Sequence, residues 1–487
     1  MSICAADVSA TPVTTSPSER IERPTLQKMY QRELGKHYNP ADADQIYHAH
    51  QLLEDFFDAK TAEQRKAITK SVEDTGVDPN ILGRLCRIRM DWPNLGGGIY
   101  YINEQFGQVK VNYFLGIPEK YDRAIPWPLV IKLPAAVDPF LAKPPLPPPT
   151  AEKVAEIYTK WMTEELEAHP DAIVIMPRLN LDELYGPSYA GMNSVIQPLQ
   201  HAFNRVNLDP ARVYMVGHGW AAHAVWNLSL HYTNYFASFC ALAGGAGQDW
   251  QRVRLINLRN VLPVVWHDAD DLVQKVDLSR SLVRLLRGKK IDVEYEETKG
   301  LGHAPSDDVY QRCYEKMRAR TRELYPQQVW LESTRPDTLF NRMDWVQVYQ
   351  TLTPGAERRV LLRHGTGHML LNENPYRIDA VRKSQRLDVT TDNVESMRFY
   401  FNDQTLDFSK PLTIVVNKKG RFEDLVKMSV DEMLKDQLFL GRGWRYFTGK
   451  VDIDFGAPSS GATSPATTQS TTRKGKIEIV RPATQPE

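Results

Sequence analysis

The sequence predicts an α/β fold: a mostly parallel sheet with helices on both faces, preceded by an N-terminal helical extension and followed by a small C-terminal β-rich domain. Three observations predict it. Between residues 98 and 326, short apolar runs alternate with segments of helical spacing. That is the pattern of strands buried on both faces and joined by crossover helices. Within that region Arg212 to Ser229 reads RVYMVGHGWAAHAVWNLS, a β-branched strand, a tight glycine turn and a helix. After about Pro326 the alternation stops, and short strands separated by polar turns take over.

Residues 1–22 are Ser/Thr/Pro-rich and are expected to be disordered. Residues 23–97 read as helices. Asp42 to Phe57 carries Ile46, Leu52, Leu53 and Phe56 at helical spacing. Thr61-Ala62-Glu63-Gln64 is a capping box that opens the next helix, and Gly76 closes it. Asp78-Pro79 starts a short helix with Leu82 and Leu85 inward. The expected role of this extension is packing on the main domain or dimerisation.

Residues 98–326 form the main domain. Its strands are expected at Val109–Ile117, Trp127–Leu133, Ala172–Met176, Val213–Val216, Phe239–Ala243, Val261–Trp266 and Ile291–Glu296, and its helices at Ala151–Ala168 and Gly191–Val206. Catalytic loops of such a sheet lie at the C-terminal ends of its strands. Residues 327–456 read as a β-rich domain, a sandwich with strands at Leu387–Val389, Met397–Phe401, Leu412–Val416 and Val451–Phe455 and one helix at Val430–Leu438. The tail, 457–487, is again Ser/Thr/Pro-rich and expected to be disordered. No internal repeat is present.

The 487 residues suit two or three domains. With 42% hydrophobic and 25% charged residues the chain has an ordinary globular composition. The zero formal net charge argues against nucleic acid or an anionic membrane as the main partner. No apolar run approaches the roughly 20 residues of a transmembrane helix. Cys4, Cys86, Cys240 and Cys313 lie far apart without CxxC spacing, so neither a disulfide framework nor a zinc site is expected. The start, MSICAADVSA, has no basic stretch; as written it implies a cytoplasmic protein, whereas Ala5-Ala6-Asp7 would fit the end of an export signal that began upstream.

The turn Gly217-His218-Gly219-Trp220-Ala221 has the layout of a nucleophile elbow, G-x-S-x-G. The chain resembles the α/β-hydrolase superfamily on these residues, in the group of esterases and prolyl-oligopeptidase-like peptidases. The resemblance covers roughly residues 100–325. It implies a nucleophile, then an acid, then a histidine, in that chain order. The nucleophile position is Gly219. The acid it implies is Asp271 in His267-Asp268-Ala269-Asp270-Asp271, with Asp270 a close second, and the histidine is His303 after Gly302. Asp271 would then orient the imidazole of His303. One oxyanion donor would be the N–H of Trp220. The other belongs to the loop after WPLVIKL, where the resemblance implies His-Gly-Gly and this chain has Pro134-Ala135-Ala136. Proline has no N–H, and alanine restricts the close approach glycine allows. His218 and His223 fit residues that support the elbow. Tyr185, in the loop Tyr185–Gly191 with Ser188, belongs to the expected pocket. The cluster of His267 with Asp268, Asp270 and Asp271 matches no defined metal motif, and no metal or cofactor is expected.

Glycine has no atom with which to attack a carbonyl. The leading expectation is therefore a hydrolase-fold homologue without serine-hydrolase activity, a pseudoenzyme keeping a pocket for a small-molecule or peptide ligand. The alternatives are a working ester or peptide hydrolase using His303 and Asp271 with another nucleophile or water, and a structural or interaction protein. The oligomeric state is left open.

Overall fold

A computed structural model describes residues 11–12, 20–107, 109–134, 151–178, 189–247, 249–335, 341–361 and 368–455. A short strand β1 (Thr11–Pro12) comes first and pairs in parallel with Tyr100 and Tyr101. This corrects the expectation of disorder for those two residues. Ile21 is also buried, its N–H donating to the Met90 carbonyl.

Helices α1 (Arg23–Leu34), α2 (Ala43–Asp58), α3 (Ala62–Asp74) and α4 (Pro79–Leu85) follow. The Thr61 hydroxyl accepts from the Gln64 N–H while the Gln64 side chain accepts from the Thr61 N–H, so both ends of the capping box are made. Leu82 and Leu85 are fully buried.

The main sheet contains β1, β2 (Gly98–Phe106), β3 (Val109–Ile117), β4 (Trp127–Leu133), β5 (Ile173–Pro177), β6 (Leu208–His218), β7 (Ser238–Leu242), β8 (Leu262–Asp268) and β9 (Glu294–Thr298). Their order is β1-β2-β3-β5-β4-β6-β7-β8-β9. β3 runs antiparallel to both its neighbours; the other neighbours pair in parallel. This is an α/β-hydrolase-like sheet, with the elbow strand β6 near its centre.

Side chains alternate across a strand, and here each face has its own core. Leu129, Ile131 and Leu133 of β4 pack with Met215 of β6 against α6 (Tyr189–Arg205), α7 (Trp220–His231) and α9 (Asp277–Gly288). Val130, Tyr214 and Val216 face the other way, against α5 (Ala151–Ala168) and α10 (Asp307–Arg318). The short α8 (Asp249–Val253) lies between β7 and β8 in the chain. Cys240 and Cys313 belong to the second core, and burial pushes the Cys240 thiol well above its ordinary value.

The β-rich region holds a five-stranded and a four-stranded sheet, with helix α11 at Val430–Leu440. Strands at Gln328–Ser333, Val346–Gln350, Tyr376–Lys383 and Lys419–Asp424 join those expected from sequence. Its core is continuous with α1–α4: Leu26, Leu53, Leu82 and Met90 share one cluster with Trp345, Phe399, Ile414 and Ile453. No helix among the described residues is long and apolar enough to cross a membrane.

Candidate functional site

The site lies where β6 turns into α7. Gly219 has φ 57° and ψ −118° and precedes the first residue of the helix. Its N–H donates to the Leu242 carbonyl at 2.9 Å, which ties the turn to β7. Glycine reaches this left-handed region without the penalty a Cβ brings. Gly217 is required for a different reason. A Cβ there would lie 2.6 Å from the backbone of Ala221, so only glycine lets the helix fold back this close to the strand.

His303 stands over the turn. A Cβ built on Gly219 would lie 3.0 Å from His303 Nε2. The other ring nitrogen, Nδ1, is 2.8 Å from Asp271 Oδ2 and donates to it. The imidazole therefore presents the lone pair of Nε2 to the space a side chain at position 219 would enter. The His303 side chain is 18% exposed and that of Asp271 is fully buried. Asp270, the competing carboxylate, is exposed.

Asp271 is held by more than His303. Its Oδ1 accepts the N–H groups of Val273 and Gln274 at 2.8 and 2.9 Å. Burial alone would raise its pKa; the Gln274 N–H, the His303 hydrogen bond and the Val273 N–H outweigh it and hold the carboxyl below its usual range. His267, read from sequence only as a member of an acidic cluster, supports it from behind. Its Nε2 is 3.2 Å from Asp271 Oδ2 and 2.8 Å from the Gln274 carbonyl, and its Nδ1 is 2.7 Å from Ser279 Oγ. Among the described residues no group of acidic, histidine and cysteine side chains has the arrangement of a metal site.

Asp268 was also missed as a builder of the site. It is buried at the end of β8, where it accepts from Thr298 Oγ1 at 2.8 Å and from the Leu301 N–H at 3.0 Å. Burial opposes its ionisation, but Thr298 and the N–H groups of Asp270, Leu301 and Gly302 bring its pKa down to about 2. It thereby fastens the loop that carries His303. The available signal was its place as the last residue of an apolar strand.

His218 donates from Nε2 to the His303 carbonyl at 2.7 Å, and its pKa is lowered, chiefly by burial. His223 bonds through Nδ1 to the Gly245 carbonyl. Both support the elbow. Trp220 opens α7, so its N–H is one of the helix's unpaired first-turn donors; its ring is 62% exposed. Leu272, Val273 and Leu301, each within two residues of Asp271 or His303 in the chain, are likewise exposed. Ala135, Ala136 and Tyr185 lie outside the described residues; Pro134, before them, is buried.

The arrangement contains an imidazole oriented by a buried carboxylate, facing a backbone position without a side chain. No protein-family model and no curated protein sequence matches the chain. Solved structures do resemble it at a distance. A thermostable esterase is 18% identical with a TM-score of 0.36 over 46% of this chain, and the match spans 63% of the esterase, less than two thirds of it. A fluorophosphonate-binding serine hydrolase of Staphylococcus aureus is 11% identical, TM-score 0.34, over 46% of this chain and 98% of its own. A ferulic acid esterase of Anaeromyces mucronatus is 12% identical, TM-score 0.33, over 46% and 89%. The fold rests on the sheet order and the elbow backbone themselves.

Proposed function

We propose that this α/β-hydrolase-fold protein forms no acyl-enzyme and keeps the His303–Asp271 pair inside a pocket for a small-molecule or peptide ligand. One observation carries the reading: at the turn, where the pair's free imidazole nitrogen points, stands Gly219. Acyl transfer needs an oxygen or sulfur there. Its loss costs on the order of a millionfold in kcat, about as much as losing the whole triad. The exposed apolar residues Trp220, Leu272, Val273 and Leu301, close in sequence to Gly219, Asp271 and His303, favour a ligand with an apolar body.

Fluorophosphonate labelling of the native chain beside Gly219→Ser tests this. The native chain stays unlabelled, and the variant takes up label because His303 Nε2 is already within reach of a serine hydroxyl. Labelling of the native chain would overturn the reading.

A second reading has its own support. The pair is intact and part-exposed, so His303 could act as general base on water and make the chain a hydrolase of carboxylic-ester or peptide bonds. Turnover of a short-chain aryl ester that disappears in His303→Ala would favour this second reading over the first.

A further inference from the structure

The opposite end of α7 carries a second site, remote from the elbow. Trp220 and His231 are the first and last of the helix's 12 residues, roughly 16 Å apart at the helical rise. There a cavity of about 80 Å³ lies between α6, the end of α7 and the segment from Phe439 to Arg445. Phe439, 48% exposed, is the most exposed residue of its lining. The space exceeds that of a single water, which occupies on the order of 10–15 Å³ by the same measure.

One side of the cavity is aromatic. Tyr235 and Trp444 line it with ring centroids 4.5 Å apart. Gln197 and Gln200, partly buried on α6, supply side-chain amides. The remaining side carries Arg342 and Arg445 together with the carboxylate Asp344, and Arg322 pairs with that same carboxylate.

The charges here do not balance. Arg322 and Arg445 share one carboxylate, Asp344 Oδ1, at 2.6 and 3.1 Å. Arg342 is paired in bidentate fashion with Asp436. All five side chains are 8% exposed or less. Among the described residues the group thus holds three guanidinium groups against two carboxylates. The surplus falls on Arg445, whose pKa is brought down to about 10, first by burial and then by the charges of Arg322 and Arg342 against that of Asp344. A buried, uncompensated charge is costly, and a bound counter-ion relieves it.

We infer that this cavity binds a small organic monoanion, a carboxylate on a compact aromatic or branched body, with its charge toward Arg445 and Arg342 and its apolar part against Tyr235 and Trp444. One negative charge completes the balance, and the amides of α6 offer further donors.

Benzoate is the probe, and thermal unfolding and calorimetry are the readouts, with benzamide as its neutral isostere and chloride at equal ionic strength as the inorganic control. At roughly 10 mM, where a ligand of millimolar Kd is mostly bound, benzoate raises Tm and neither control does. Gln197→Trp fills the cavity from a partly exposed helix position; it keeps the native circular dichroism spectrum and binds benzoate at least about tenfold more weakly. Arg445→Met abolishes the difference between benzoate and benzamide; if that variant fails to fold, Gln197→Trp still decides the matter. Absence of a benzoate effect, equal effects of benzamide or chloride, or undiminished binding by Gln197→Trp would each overturn the inference.

Discussion

The two halves of this molecule are built by opposite strategies. Apart from the two-residue β1, the sheet unit is made from one continuous stretch, and most of its strands are apolar enough to declare themselves. The second unit is assembled from the two ends of the chain. Helices α1–α4 and the β-rich region share one core, and Glu54 meets Arg442 across 388 positions of sequence. Around that pair Arg442 also donates to the carbonyls of Cys86 and Ile88, and Asn80 Oδ1 accepts from Thr448 Oγ1 at 2.8 Å. The difference teaches that a helical extension without chemistry of its own can be half of another unit's interior.

The largest expected effect breaks that long-range joint. Glu54→Ala leaves the Arg442 guanidinium buried without its carboxylate and costs about 3–5 kcal/mol. Urea unfolding should then show helices and β-rich strands lost together; a β-rich region retaining its own unchanged transition would refute the shared core. Paired truncations sharpen the comparison. Leu53→Ala and Ile131→Ala, both at fully buried positions, each cost about 2–5 kcal/mol. Hydrogen exchange should quicken in the strands at Ser396–Phe401 and Gly449–Asp454 for the first and in β4 and β6 for the second.

Acid separates the sheet unit by another route. Burial lowers the pKa of His201 on α6 and of His231 on α7 to about 3, with the charges of Arg205 and Arg254 adding to it. The folded state thus refuses protons that the unfolded state accepts below about 6.5. Stability is full above that pH and falls as pH drops toward 3, by about 1.4 kcal/mol per pH unit for each histidine. His201→Gln should reduce the slope of stability against pH by that amount, and an unchanged slope would count against the assignment. Asp268 acts lower, its contribution present above about pH 4 and lost toward pH 2.

At the elbow the effects are smaller. Gly219→Ser places a side chain at φ 57° and costs about 1–3 kcal/mol, and His303 must withdraw by a few tenths of an ångström to admit it. Retained stability with no loss would mean the turn relaxes out of the elbow conformation. Trp220→Ala, at a residue that is 62% exposed, should alter stability by no more than about 0.5 kcal/mol; a larger loss would show that the side chain packs against the fold.

Legibility followed the same division. In the sheet unit the elbow shows as a glycine turn after an apolar strand, whereas Asp271 and His303 are singled out by the resemblance and its chain order, the strand before His303, Glu294–Thr298, being polar. The structure brings Asp271 to His303, while Asp270 is exposed. Strands such as Tyr376–Lys383 escaped notice. They bury only alternate residues, here Tyr376, Ile378 and Ala380, and carry arginine, aspartate and lysine between them. That period of two is easily hidden by charge.

The sequence by itself determined the α/β architecture, the elbow turn and the missing side chain at Gly219, because periodicity and the presence of an atom are local properties. Only the tertiary structure decided that His267 braces Asp271 and Asp268 the histidine loop, that the first helices complete the β-rich core, and that three arginines crowd two carboxylates beside a cavity. Those facts depend on which side chains meet after the chain has folded, and no local pattern records the distance between residues that are far apart in sequence.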